Sequence, residues 1–112
     1  HALCSVPDPG VALAEIKRVL APNRGKFFFF EHIEDRPGTV RNLLQNLLTQ
    51  FKIWPWCTGG CHLNRRMNEH LAQAGFRSLQ FEKFHLRLPA SYVWEESLRK
   101  LTLSHIRGLA QV

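Results

Sequence analysis

Cysteine is scarce in this chain of 112 residues: Cys4, Cys57 and Cys61 are an odd number at low density. That excludes the paired frameworks that staple small secreted domains and predicts a reducing, intracellular setting. No apolar run approaches the roughly 18 residues of a membrane span. The chain opens at His1 with no initiator Met, charged n-region or apolar h-region, so neither membrane crossing nor export is expected. Acidic charge is also short, with nine Asp and Glu against fifteen Lys and Arg, a formal net charge of +6. Such a surplus suits nucleic acid, acidic lipid or a phosphorylated cofactor, but it is spread thinly and selects none of them. Internal repeats, low-complexity segments and any G-x-G-x-G loop are lacking.

What is present is the 45% hydrophobic content of a core former. A chain of this size is one domain and buries roughly 65% of the surface that its unfolded form exposes. Val6-Pro7-Asp8-Pro9-Gly10 ends the first segment and prepares a helix start. Ala12, Ile16, Val19 and Leu20 then recur at helical spacing with Glu15, Lys17 and Arg18 opposite, which predicts an amphipathic helix stopped at 21–25. Phe27 to Phe30 do not alternate, and predict a strand covered on both faces in the centre of a parallel sheet. Helix, tight turn and buried strand make half of a βαβ unit.

Beyond Arg36-Pro37-Gly38, the residues Val40, Leu43, Leu44, Leu47, Leu48 and Phe51 form the cleanest helical stripe in the chain. Its expected use is core packing against the sheet, with a cap over a lipophilic acceptor as the second reading. Aromatic residues crowd around Pro55, and the glycines of 57–61 predict a flexible loop. Asn64 is placed to cap a helix with Met67, Leu71 and Ala74 on its apolar face and Gly75 at C′. Phe76 to Leu88 read as a long strand with a bulge between Phe81 and Phe84. Residues 91–100 are weakly helical, and Ile106 to Val112 form a last strand.

Two groupings invite chemical readings. Cys57, Cys61 and His62 offer thiolate and imidazole, but C-x3-C-H has no second pair downstream, and no metal site is expected. Arg65, Arg66, Arg77, Lys83 and Arg87 with Phe76, Phe81 and Phe84 come nearest to a nucleic-acid surface. Alternation turns those aromatics inward, so a solvated strand face is the simpler reading and nucleic acid is not favoured.

Leu3-Cys4-Ser5-Val6, the helix with Glu15, Arg18, Val19, Leu20 and Pro22, and the strand ending Glu31-His32 carry a likeness. With Gly60-Cys61-His62-Leu63-Asn64-Arg65 and Ser104-His105-Ile106-Arg107-Gly108-Leu109-Ala110, the chain resembles class I S-adenosylmethionine-dependent methyltransferases. The likeness is closest to the membrane-associated thiol methyltransferases of the methyltransferase-like seven group. It covers nearly the whole chain, and departs at Pro22-Asn23-Arg24-Gly25, one residue longer than the group's P-G-G turn.

The resemblance implies an α/β fold, the C-terminal half of a Rossmann-like domain, with a mixed sheet remnant flanked by helices and its last strand antiparallel. Residues 1–112 would be a single incomplete domain, since the glycine-rich loop and the acidic residue that holds the ribose would precede His1. The implied cofactor is S-adenosylmethionine, with Leu3, Cys4 and Ser5 near its methionine end. Glu31 and His32 would face the acceptor, and His32 would take a proton from a thiol. The plainer reading is that Glu31 and His32 cap the strand and hydrogen-bond the loop. The implied activity is methyl transfer to a small acceptor, an alkyl and lipophilic thiol, with this segment alone inactive. The competing expectation is a non-catalytic interaction module that uses an exposed sheet edge and the basic surface. By resemblance only, location extends to the endoplasmic reticulum membrane or lipid droplets, through a segment preceding this one.

Overall fold

The computed structural model describes residues 1–85 and 104–112. Their elements run α1 (Pro9–Val19), β1 (Lys26–His32), α2 (Val40–Gln50), α3 (Ile53–Cys57), α4 (Met67–Gln73), β2 (Ser78–His85) and β3 (Ser104–Gln111). The strands form one sheet in the order β1-β3-β2, and β3 pairs antiparallel with both neighbours. β1 and β2 therefore point the same way on either side of an opposed central strand, which agrees with an antiparallel last strand. The expected mixed sheet is not what the described residues show, because both of their pairings are antiparallel. The expected helix at 91–100 and the strand end at 86–88 lie outside the described residues.

Residues facing one another across an antiparallel ladder share a face of the sheet. Phe27, Phe29, Ile106 and Ala110 share one face, and Phe28, Phe30, His32, His105 and Arg107 share the other. On the first face Phe29, Ile106 and Ala110 join Leu3, Leu13, Ile33, Met67 and Leu71 in the core. Phe28, on the opposite face, is 73% exposed, so the aromatic run is not covered on both faces. Its lack of alternation is a property of its composition and not of its burial. Central placement of β3 requires Gly108: a Cβ there would meet the Gln80 carbonyl oxygen at 2.1 Å and the Phe29 ring at 2.7 Å. The register of β2 against β3 is unbroken from Ser78 to His85, which removes the expected bulge at Phe81 to Phe84. Leu79 packs on the core and Phe84 belongs to the other face, as alternation across one regular strand requires.

α1 starts where Asp8 accepts from the N–H groups of Gly10 and Val11, with Pro9 in the first turn. Leu13 is fully buried and Ile16 packs beside it, whereas Val19 is exposed. The core-facing stripe thus keeps the expected Ala12 and Ile16, adds Pro9 and Leu13, and leaves Val19 outside. At the far end, Lys17 Nζ donates to the Ala74 and Gly75 carbonyls at 3.0 and 2.7 Å, tying α1 to the C-terminus of α4. A cation there complements the partial negative charge of the helix end. Met67 and Leu71 of α4 are buried and Gly75 has a positive φ, as the sequence predicts for a helix closed by a C′ glycine. The cap at its other end differs. Arg66 holds the N-cap position without a side-chain capping bond, its guanidinium being paired with Glu34, and Asn64 donates instead to Asn46 Oδ1 at 2.9 Å.

α2 departs furthest from expectation. Its buried residues are Asn42 and Gln45, while Val40 is 75% and Leu43 58% exposed and Leu44, Leu47 and Phe51 are exposed with them. The loop leaving β1 explains the inversion. Gln45 Oε1 accepts the Asp35 N–H at 2.8 Å, Asn42 Nδ2 donates to the Asp35 carbonyl at 3.2 Å, and Arg41 pairs with Asp35 Oδ2 at 2.8 Å. A loop near the core carries peptide groups that need partners, and the polar face of α2 supplies them. The stripe of leucines faces outward and continues into α3 through the exposed Ile53 and Trp56.

Two outcomes follow. Leu13→Ala should cost about 2–5 kcal/mol in urea unfolding, whereas Leu43→Ser should change stability by no more than about 0.5 kcal/mol. For Asp35, burial pushes the pKa up, but the Arg36 N–H and the Arg41 guanidinium prevail and hold it below its ordinary 3.8. A carboxyl depressed on folding contributes stability above its unfolded pKa, and that contribution is lost as pH falls through the lower folded value. Asp35→Asn should therefore be less stable at neutral pH and lose less stability than the parent on acidification below pH 3.8, read from unfolding midpoints across that range.

Candidate functional site

Adjacent residues of a strand point to opposite faces, so Glu31 and His32 leave the end of β1 in different directions. Glu31 is buried, and its carboxylate oxygens accept the N–H groups of Ala2 at 2.8 Å, Leu3 at 3.0 Å and Cys4 at 3.1 Å. From the other side Arg65 donates to the Leu3 carbonyl at 2.7 Å and to that of Val6. A carboxylate on the amides and a guanidinium on the carbonyls fix the loop from Ala2 to Val6 by charge-assisted bonds.

The held loop aims Cys4 at two partners. Its Sγ lies 3.5 Å from Cys61 Sγ and 3.7 Å from His32 Nδ1, and Cys61 Sγ is 3.5 Å from the same nitrogen. The His62 N–H donates to the Cys4 carbonyl at 2.9 Å, pinning the two cysteine segments together. Both thiols are buried and free. The Cys61 thiol donates to Cys4, and against the effect of burial this bond, with those from His32 and Ser5, holds the Cys4 pKa down to about 3. Cys61 is pushed up by the same bond, by burial and by the neighbouring charge. Within the pair, negative charge is favoured on Cys4 and disfavoured on Cys61.

On the other face of the sheet, the His32 ring meets those of His1 and His105 at centroid separations of 4.2 and 4.7 Å. His105 is buried between Phe30 and Phe84. A cleft of about 510 Å³ opens beside it, lined by Ile33, Asp35, Pro37, His85, Ser104 and His105. It lies at the carboxyl ends of β1 and β2, where open α/β sheets bind ligands.

The structure therefore brings Glu31, His32 and Cys4 together and spreads the other sequence candidates. Leu3 packs in the core, and Ser5 lies half-buried at the rim with its Oγ 3.6 Å from Cys4 Sγ. Cys57 is exposed and does not join the thiol cluster, and His62 turns to Arg65 at 3.4 Å. His105 was not singled out by sequence reasoning, although the motif at Ser104–Ala110 contained it; Cys61 was weighed only as a metal ligand with Cys57 and His62, and Arg65 only within a basic patch. A nucleotide cofactor finds only part of a site among these residues. The N–H groups of Ala2, Leu3 and Cys4 are already taken by Glu31, so Ser5 is the polar side chain left at the rim, and no glycine-rich loop stands ready for the adenosine end.

Glu31→Gln keeps the side-chain shape but turns an NH2 toward backbone donors. It should destabilise the fold by about 1–3 kcal/mol, and amide hydrogen exchange should show protection at Leu3 and Cys4 falling with it.

Comparison with known proteins gives a consistent kinship. The chain is 38% identical over 80 residues to thiol S-methyltransferase TMT1B of Rattus norvegicus, covering 71% of this chain and 32% of that protein. It is 34% identical over 108 residues to thiol S-methyltransferase TMT1A of Homo sapiens, covering 96% of this chain and 39% of that protein. Mouse TMT1B matches at 38% over 80 residues, again 71% of this chain and 32% of the relative. The chain thus spans about a third of the length of the curated relatives that it matches. No family model matches, and no solved structure matches. With motifs and identity in agreement, the sequence is similar over nearly all its length to the thiol S-methyltransferases, a class I methyltransferase group.

Proposed function

We propose that this chain forms the acceptor side of an S-adenosylmethionine-dependent methyltransferase whose acceptor is a small lipophilic thiol. The observation that supports it most is the placement of His32 between the clamped loop, through Cys4, and His105, which lines the cleft at the carboxyl ends of β1 and β2. Kinship with thiol S-methyltransferases supplies the reaction type. The cofactor, when bound, supplies an electrophilic methyl group on a sulfonium.

This chain's own residues do the rest. Ile33 and Pro37 give the cleft apolar wall for an alkyl chain. Thiolate is the reactive form of a thiol, so the acceptor must lose a proton near neutral pH. His32 Nδ1 is engaged with His1 and the two sulfurs, and Nε2 has no hydrogen bond among the described residues. Nε2 is the atom that receives the proton. Glu31 acts through the loop it holds, as a positioning residue, and Ser5 at the rim would lie by the methionine end of the cofactor. Methyl transfer depends heavily on the alignment of the reacting atoms, which is what a fixed loop provides.

A second reading has its own observation. The outward apolar face of α2 and α3, with Leu43, Phe51 and Trp56 exposed, fits an interaction module that does not catalyse. Exposed patches of that kind mark association surfaces. The deciding experiment supplies the protein with methyl-labelled S-adenosylmethionine and an alkyl thiol. The expected result is a labelled thioether, with His32→Gln lowering kcat/KM by about 10²–10⁴-fold. Absence of product together with stable association in sedimentation would overturn the catalytic reading in favour of the module.

A further inference from the structure

The cluster of Cys4, Cys61 and His32 has a geometry that a pair of buried thiols does not need. We propose that Cys4 Sγ, Cys61 Sγ and His32 Nδ1 form a binding site for a soft divalent metal, with Zn²⁺ the ion whose chemistry they fit.

Zinc takes thiolate sulfur at about 2.3 Å and imidazole nitrogen at about 2.0–2.1 Å in a tetrahedron. Those bond lengths place two sulfur ligands about 3.8 Å apart and a sulfur and a nitrogen about 3.6 Å apart. The protein has 3.5 Å between the sulfurs and 3.7 and 3.5 Å from each sulfur to the nitrogen. Shifts of a few tenths of an ångström complete the triangle. The three donors come from separate segments, so no local spacing in the chain forces them together.

Their backbones are also fixed. Glu31 holds the Cys4 amide, the His62 N–H holds the Cys4 carbonyl, and His32 is paired with His105 across the sheet. Ligands held by a supporting shell lose little freedom on binding a metal. Two thiolates and an imidazole select zinc-like ions over magnesium or calcium, which take oxygen ligands. Among the described residues His1 and His105 form a second triad with His32 and do not supply a fourth corner to the first. One vertex is left for an outside ligand, as in catalytic zinc sites.

A consequence rests on the thiol-methylating reading above. A thiol entering the open vertex gives its proton to solvent and binds as thiolate, because a metal deprotonates a coordinating thiol. In the metal-loaded protein the metal thus takes over the deprotonation that His32 Nε2 performs without it, since a ring bound through Nδ1 carries its own proton on Nε2.

The test uses this chain under reducing conditions, first as found and then with Cys57→Ser, which leaves Cys4 and Cys61 as the only thiols among its 112 residues. One Zn²⁺ per chain is expected in both, and Co²⁺ in its place should show thiolate-to-metal absorption from two sulfurs. His32→Gln should weaken uptake by more than about tenfold. The Cys57→Ser spectrum decides without touching the site, since Cys57 is exposed and outside the cluster. Failure of Cys57→Ser to take up metal, uptake without thiolate bands, or a Cys4–Cys61 disulfide that forms instead of uptake would each overturn the proposal. Methyl transfer is assayed separately. Metal uptake without any methylated thiol would overturn the functional reading and leave the site, while thiol methylation by protein that takes up no metal would do the reverse.

Discussion

The Glu31 carboxylate is the contact on which the arrangement turns. A buried carboxylate needs several donors, and the segment from Ala2 to Cys4 offers three consecutive amides. Taking them fixes the backbone of that segment against the end of β1. Arg65 then closes the opposite side through the carbonyls of Leu3 and Val6. Leu3 is thereby set into the core and Cys4 against Cys61 and His32. Core packing and site geometry share one electrostatic clamp, so a change in it would disturb both.

The sheet divides the molecule into two chemical environments. One face, carrying Phe29, Ile106 and Ala110, packs against α1 and α4 and supplies the hydrophobic stabilisation. The other carries His32, His105 and Arg107 among aromatic rings, with Arg107 paired to Glu82 and lying over Phe84. Strand alternation assigns the faces, and the antiparallel register carries the assignment from β1 through β3 to β2. The titratable rings of His32 and His105 thus sit among Phe30 and Phe84 on this face.

α2 shows where local pattern and tertiary demand part. The stripe from Val40 to Phe51 has helical periodicity, and a helix forms there, but periodicity says only which residues share a face. Which face turns inward was decided by the loop at Asp35, whose peptide groups needed Gln45 and Asn42. The same limit applies to Phe27 to Phe30, whose composition describes a strand without saying what lies over each side.

Short-range physics fixed much of the fold in the sequence itself. Asp8 with Pro9 starts α1, Gly75 closes α4, the aromatic run makes β1, and 106–111 fall in the last strand. Each depends on neighbours within a few residues, and the kinship with methyltransferases was equally legible because short motifs in order carry it. Contacts between distant segments were not legible. Cys61 lies 57 residues from Cys4 and pairs with it instead of with the nearer Cys57, and His105 meets His32 only through sheet register. Spacing along a chain constrains partners only over about one turn of helix or a tight turn. Beyond that range the choice belongs to packing, here to the clamp at Glu31 and the ladder between β1 and β3.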